Sequence, residues 1–284
     1  KRELAEQHDV LYFSSFQEML PHVDAVTIVT PTTTHYSIAK ECLEQGKHVF
    51  VEKPLCFELD RAEELVKLAK EKGLILSVGY VFRFNPLVER LKELLPEIGP
   101  VQYVTGLYVH SSAPPRKDSG VVFNLAVHLF DVLNCIFPDG PKNIHSTKIH
   151  HVSEKNEDSA FITLDYGKFA ANIETSCCHP EKKRDMWVIA AKEKLYLDFL
   201  DQRLIRYPIE VSEEGNVVKE PYRDPKIEKM APLYWELHHF VEVCNSKLNA
   251  VEIENRSAEN LLTTKMCLWS LQSAREGRVL HLRE

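Results

Sequence analysis

Three short apolar runs in the first eighty residues each end in a cluster of polar side chains. After Ala25-Val26-Thr27-Ile28-Val29 come Thr30-Pro31-Thr32-Thr33-Thr34-His35. After Lys47-His48-Val49-Phe50-Val51 come Glu52-Lys53-Pro54, and after Leu74–Val78 come Gly79-Tyr80-Val81-Phe82-Arg83-Phe84-Asn85-Pro86. In an open parallel sheet, ligands bind beyond the carboxyl ends of the strands. If the three runs are such strands, hydroxyls, a carboxylate, an ammonium and a guanidinium meet along one edge. Lys53, fixed by Pro54, can aim its ammonium at a substrate oxygen, where it stabilises charge or passes a proton. The same residues admit plainer readings: a surface lysine at a strand end, and Thr32 or Thr34 as the N-cap of a helix.

A second group lies in Asn124-Leu125-Ala126-Val127-His128-Leu129-Phe130-Asp131. Spacings of four and three place Asn124, His128 and Asp131 on one face of a helix. A histidine flanked by a carboxylate suits proton transfer near neutral pH. A helix histidine satisfied by its neighbours is the alternative. No third ligand stands at metal spacing, so no metal is expected. The other histidines, His150-His151 and His238-His239 among them, lack such context and read as structural or solvated.

The elements that must position these groups follow from periodicity. Residues 1–8 read as the back half of an amphipathic helix, Val10–Phe13 as a short strand and Ser15–Leu20 as a helix. Ala25–Val29 is β-branched and nearly all apolar, as a strand buried on both faces should be. Ile38, Ala39, Cys42 and Leu43 share one face of a helix that stops at Gly46. Asp60 and Glu63 form a capping-box-like start to a helix that stops at Gly73. Strand–helix–strand–helix–strand with short connections is the pattern of a parallel sheet with right-handed crossovers, here half of a doubly wound fold. Beyond Gly99 the texture changes. A helix is expected from about Phe123 to Phe137. Strand-like runs follow at Asn143–Val152, Ser159–Tyr166, Phe169–Cys177, Met186–Ala191, Lys194–Phe199 and Leu204–Tyr207, as in an antiparallel sheet. Two helices close the chain, one over Leu233–Ser246 and one from an N-cap at Ser257 to Gly277. The fold class expected is α/β: an incomplete Rossmann-like domain over 1–98, then an α+β domain with a mainly antiparallel sheet over 99–284.

The 284 residues suit two domains of ordinary size. A net charge of −7 with no long Lys/Arg run disfavours nucleic acid. Lys67–Lys72 and Lys182-Lys183-Arg184 sit among glutamates and read as solvated faces. No run approaches the roughly 18 apolar residues of a membrane span, and the charged start is unlike a signal peptide. Seven cysteines, an odd number without zinc spacing, fit reduced thiols and a cytoplasmic location.

Taken together, Gly46-Lys47-His48-Val49-Phe50-Val51-Glu52-Lys53-Pro54, the T-P-T-x-x-H stretch at Thr30–His35 and the helix carrying His128 and Asp131 resemble the Gfo/Idh/MocA family of NAD(P)-dependent sugar and cyclitol oxidoreductases. Val78–Pro86 and Glu157–Leu164 look most like the branch that oxidises nucleotide sugars. The resemblance implies NAD or NADP as cofactor, lined by Thr30, Pro31, Thr32 and His35, with Glu52 on the nicotinamide ribose. It makes Lys53 the group acting on the reacting hydroxyl and His128 its acid–base partner. Tyr80, Arg83, Asn85, Asn124 and His128 would face a sugar or nucleotide-sugar substrate, and a homo-oligomer is expected. Family members open with a strand and a G-x-G-x-x-G turn that binds the pyrophosphate. None of the ten glycines here makes that pattern. The expectation is a missing N-terminal segment of some 35–50 residues, by analogy with a β-α-β entry unit, and weak dinucleotide binding without it. Asn124 stands where many relatives have aspartate, which leaves it hydrogen bonding but no proton transfer. The rival readings are a non-catalytic sugar or cofactor sensor, a structural interaction protein, and a dehydrogenase of an inositol-type cyclitol.

Overall fold

The computed structural model describes residues 2–111, 118–212, 214–246 and 250–282, with the backbone alone over 250–259. Helices α1 (Arg2–Gln7) and α2 (Phe16–Met19) lead into strand β1 (Ala25–Ile28). Helix α3 (His35–Glu44), strand β2 (His48–Glu52), helix α4 (Leu59–Lys72) and strand β3 (Leu76–Gly79) complete the first unit. The three strands are parallel in the order β1-β2-β3. Each helix stops where a glycine takes up a left-handed conformation, Gly46 just after α3 and Gly73 as the C-cap of α4.

Several local expectations are corrected. Val10–Phe13 is not a strand. Helix α4 starts from Glu58 with no side-chain cap, so Asp60 and Glu63 form no capping box. Thr27 of β1 and Val29 just after it are exposed, so that run is not buried on both faces. The face of β2 and β3 that carries Phe50 and Ile75 is covered by Phe240 and Val243 of a C-terminal helix, α7 (Pro232–Asn245). That cover does not extend over Thr27, the register partner of Phe50. Among the described residues β1 has a neighbouring strand on one side only.

Helix α5 (Pro86–Leu94) leads into the second unit, where strand β4 (Val101–Val109) enters a larger sheet. A π-turn over Val122–Ala126 then runs into helix α6 (Val127–Ile136). The remaining strands are β5 (Asn143–Ile149), β6 (Ser159–Asp165), β7 (Ala170–Ser176), β8 (Lys183–Ala190), β9 (Glu193–Asp198), β10 (Arg203–Val211), β11 (Val217–Lys219) and β12 (Leu280–His281). Their order is β11-β10-β9-β8-β4-β7-β6-β5-β12, antiparallel except for the β4–β7 pair. One face of this sheet is packed with buried apolar residues beneath α6 and the long helix α8 (Ala250–Glu276). Helix α8 runs through position 257, so Ser257 is not its N-cap, and its side chain lies outside the described residues.

The fold class is therefore the expected one, a three-stranded parallel Rossmann-like sheet followed by a mixed, mostly antiparallel sheet. The core is continuous across both units. Helix α8 packs on α4 and β3 as well as on the larger sheet, and Asn260 Nδ2 donates to the carbonyl of Leu76 at 3.0 Å. This clasp ties the start of β3 to a helix that also packs on α6 and on the π-turn before it. All seven cysteines are free. Among the described residues no helix is long and apolar enough to cross a membrane.

Candidate active site

Lys53 sits one residue past the end of β2, in a cis peptide linkage to Pro54. Its Nζ donates to both oxygens of Asn124, at 2.7 Å to the carbonyl and 3.0 Å to Oδ1. Two clusters 71 residues apart in sequence thus meet at one ammonium. The partner is delivered by the π-turn, a widened helical register found often at functional sites. Glu157 holds the start of that turn, accepting from Val122 N at 3.0 Å through Oε1 and from Val121 N at 3.0 Å through its carbonyl. Gly120 makes room for this carboxylate: a Cβ there would lie 2.1 Å from its carbon. The sequence reading treated this segment as one regular helix. The π-turn changes the spacing between Asn124 and His128, while both still belong to the site.

His128 is 6% exposed and makes no hydrogen bond among the described residues; its Nδ1 is buried without a partner. The ring stacks on Phe82 at 4.7 Å between centroids and lies 5.8 Å from the ring of Tyr108. Burial pushes its pKa well below the ordinary value, and the charges of Lys53 and Arg184 push in the same direction. The imidazole is therefore neutral at pH 7. The sequence had it titrating near neutrality with help from Asp131, and both points are corrected. Asp131 is fully buried and forked onto Arg83, whose Nε donates to Oδ2 at 3.0 Å and whose Nη2 pairs with Oδ1. A bidentate arginine–carboxylate pair of this kind is geometrically fixed.

The other candidates divide between the site and its frame. Glu52 reaches back to accept from Lys53 N at 3.2 Å through Oε2, and Gly79 opposite has no side chain to obstruct it. A Cβ at Gly79 would come within 3.3 Å of that oxygen. Thr30 is exposed and accepts from Thr34 Oγ1 at 2.8 Å. Pro31 is exposed beside it, and Thr32 is buried and donates to Asp118 Oδ2 at 3.3 Å. Neither Thr32 nor Thr34 caps α3 through its side chain. His35, 1% exposed, joins two loops, with Nδ1 2.9 Å from the Pro54 carbonyl and Nε2 2.8 Å from the Thr30 carbonyl. With both nitrogens engaged it positions the loops after β1 and β2 and presents no polar atom to a ligand.

Three proposed substrate contacts are likewise frame. Asn85 is buried, its Oδ1 capping α5 at Leu87 N (3.1 Å) and its Nδ2 donating to the Phe199 carbonyl (3.2 Å). Tyr80 is fully buried, with the Arg83 guanidinium 5.4 Å from its ring centre. Arg83, tied to Asp131, is no free anion anchor.

Sequence reasoning missed the far wall of the site. Tyr108 at the end of β4 stacks on Phe82 at 5.7 Å, and Phe199 after β9 stacks there at 5.2 Å. Arg184 in β8 is the register partner of Tyr108, and its Cζ stands 4.6 Å from the Tyr108 ring centre. His110 follows β4, with its ring 6.5 Å from that of Tyr108. Strands β4 and β8 bring these residues together, and no local spacing announces that pairing. Glu236 of α7, also missed, is 2% exposed with both carboxylate oxygens unpartnered, beside a cavity of about 50 Å³ lined by Arg83, His239 and Asn260. Burial raises its pKa to about 8, and the neighbouring Glu52 adds to the rise.

A nicotinamide dinucleotide fits part of this arrangement. The loops after β1 and β2 are locked together by His35 and present Thr30, Glu52 and Lys53 at the carboxyl ends of parallel strands. Among the described residues no three His, Cys, Asp or Glu side chains gather as a metal site.

Two family models match the chain. Residues 1–80 match one described as oxidoreductase family, NAD-binding Rossmann fold, and residues 88–196 match the GFO/IDH/MocA C-terminal domain. A UDP-N-acetylglucosamine 3-dehydrogenase of Acidithiobacillus ferrooxidans is 28% identical over 206 residues, 72% of this chain and 65% of its own. A scyllo-inositol 2-dehydrogenase (NAD(+)) of Bacillus subtilis is 36% identical over 118 residues, 39% of this chain and 34% of its own. The chain thus spans less than two thirds of the length of these relatives. A solved structure of the Acidithiobacillus ferrooxidans enzyme superposes with a TM-score of 0.84 at 22% identity, covering 97% of this chain and 86% of that one, which shows a shared fold. On its two matched domains and its topology, the chain belongs to the Gfo/Idh/MocA family of oxidoreductases.

Proposed function

We propose that this chain belongs to an NAD(P)-dependent dehydrogenase that oxidises a secondary hydroxyl of a sugar, and of a nucleotide sugar in particular. The observation that carries the reading is the meeting of Lys53, held by both oxygens of Asn124, with a buried, neutral His128 whose Nδ1 has no partner among the described residues. Bound NAD(P)+ supplies the hydride acceptor. Thr30, Pro31 and Glu52 hold its nicotinamide half, with Thr32 and His35 bracing their loops. Lys53 stabilises negative charge on the reacting oxygen, and His128 accepts the hydroxyl proton. Phe82, Tyr108 and Phe199 form an aromatic wall that keeps water from the reacting carbon. In this reading residues 1–98 bind cofactor and 99–284 bind substrate. The open face of the larger sheet, with Tyr103 and Phe161 exposed, is where a second copy docks. A reducing cytoplasm suits seven free thiols.

A cyclitol is the competing substrate, since one relative acts on scyllo-inositol. Nicotinamide reduction by the purified protein, followed against a panel of UDP-sugars, free hexoses and inositols, tests the reading. Turnover of a UDP-sugar above all others is expected. Preference for an inositol would move the assignment to cyclitols, and reduction of NAD(P)+ by none would sink it.

A further inference from the structure

The far wall of the site is built to meet negative charge. Arg184 and Tyr108 are register partners on β8 and β4, and they point to the helix-covered face of the larger sheet. The guanidinium lies over the Tyr108 ring at 4.6 Å, and its Nε is buried with no hydrogen-bond partner. His110 Nδ1 and His128 Nδ1 are buried and unpartnered as well. All three residues border the one Tyr108 ring, with ring separations of 6.5 Å for His110 and 5.8 Å for His128. A buried polar atom without a partner costs free energy, and three around one ring make a polar recess that a ligand is suited to fill.

The sign of the recess is set by its charges. The charged groups acting on the two histidines are Lys53, Lys182 and Arg184, every one a cation. Two carboxylates of the site are engaged elsewhere: Asp131 with Arg83, and Glu52 at the backbone N–H of Lys53. Asp185, the next residue along β8, alternates to the opposite face of the sheet. A neutral sugar would leave the Arg184 charge half-buried and unmatched, whereas an oxyanion would match it and accept from the free nitrogens.

We infer that Arg184 and His110 form an oxyanion subsite next to His128, so that the substrate carries a carboxylate or phosphate close to the carbon being oxidised. This rests on the dehydrogenase reading for the place of the reacting carbon, but the subsite itself can be tested by binding alone. Two sources supply the same chemistry: a carboxylate on the sugar ring, or a phosphate on its anomeric oxygen.

The experiment is calorimetric titration of the whole protein, without cofactor, with two probe pairs: glucuronate against glucose, and N-acetylglucosamine 1-phosphate against N-acetylglucosamine. In at least one pair the charged member should bind at least about tenfold tighter, and Arg184→Gln should abolish that preference while changing affinity for the neutral member less than about twofold. That scale is the one expected for a charge-assisted pair. The pair that shows the preference identifies the source. Arg184→Lys should restore part of the preference, and His110→Gln should weaken it independently, which guards against a folding defect in the Arg184→Gln protein. Equal affinity within both pairs, or no measurable binding of any charged probe, overturns the subsite. An oxyanion preference in a protein that reduces no NAD(P)+ would retain the subsite and remove the dehydrogenase reading.

Discussion

Replacing Asp131 by asparagine separates a structural carboxylate from a catalytic one. Its side chain is 0% exposed and holds Arg83 through two hydrogen bonds, with Thr263 Oγ1 a further 3.5 Å from Oδ1. The substitution keeps the shape but removes the charge, and Arg83 loses this carboxylate. Breaking a buried ion pair from one side costs about 3–5 kcal/mol. Arg83 is 20% exposed, so water takes over part of its solvation and the lower end applies, about 3 kcal/mol. In a chain of this size each kcal/mol moves the melting temperature by roughly 2–4 °C, so a fall of about 6–12 °C is expected. The titration of His128 should stay where it is, because the charges acting on that ring are Lys53 and Arg184 and not Asp131. Thermal unfolding by circular dichroism reads the first effect, and NMR of the histidine ring protons reads the second. A melting temperature unchanged within about 2 °C, together with a displaced His128 titration, would refute the assignment of Asp131 to Arg83.

Two further outcomes follow from the buried groups. His128 has a lowered pKa in the fold and an ordinary one of 6.5 when unfolded. Below that value the unfolded chain takes up a proton that the folded chain refuses, so its contribution to stability is complete above 6.5 and is lost as pH falls toward the folded pKa. His128→Asn should flatten that acid slope and reduce turnover on the order of a hundredfold or more, while wild-type turnover shows no acid limb at neutral pH; a limb near neutrality would contradict the burial argument. Glu236 is shifted the other way, from 4.5 to about 8, so its contribution is complete below 4.5 and is lost as pH rises through about 8. Glu236→Gln should therefore gain on the order of 3 kcal/mol over wild type at mildly alkaline pH and little in acid, read by urea unfolding across pH; a gain independent of pH would mean that packing, not charge, is responsible.

The parallel unit was legible because its signals are local. The runs ending at Val29, Val51 and Val78 alternate with helices that stop at Gly46 and Gly73, and the Glu52-Lys53-Pro54 cluster lies where such a sheet places ligands. Asn124 and His128 were legible from their spacing on one helix, although the π-turn was not, since it depends on Glu157 reaching a space left by Gly120. What could not be read came from tertiary pairing. Arg184 lies in a basic run that resembles a solvated face, and only the β4–β8 register puts it over Tyr108. His110 was passed over for the same reason. Asn85, Tyr80 and His35 sit where substrate and cofactor contacts were expected, and each is instead a fixed part of the frame. The apparent partnership of His128 with Asp131 failed because Arg83, 48 residues upstream, takes the carboxylate first.

The central claim is that Lys53 acts on the reacting hydroxyl. It is tested most directly by the turnover of Lys53→Ala against the wild-type protein, under conditions that saturate sugar and nicotinamide cofactor. The ammonium is anchored at the site through the two oxygens of Asn124, and its removal should leave the melting temperature within a few degrees of wild type. The account predicts a loss of kcat of at least about a hundredfold with that fold intact. A well-folded Lys53→Ala protein that turns over at close to the wild-type rate would contradict it.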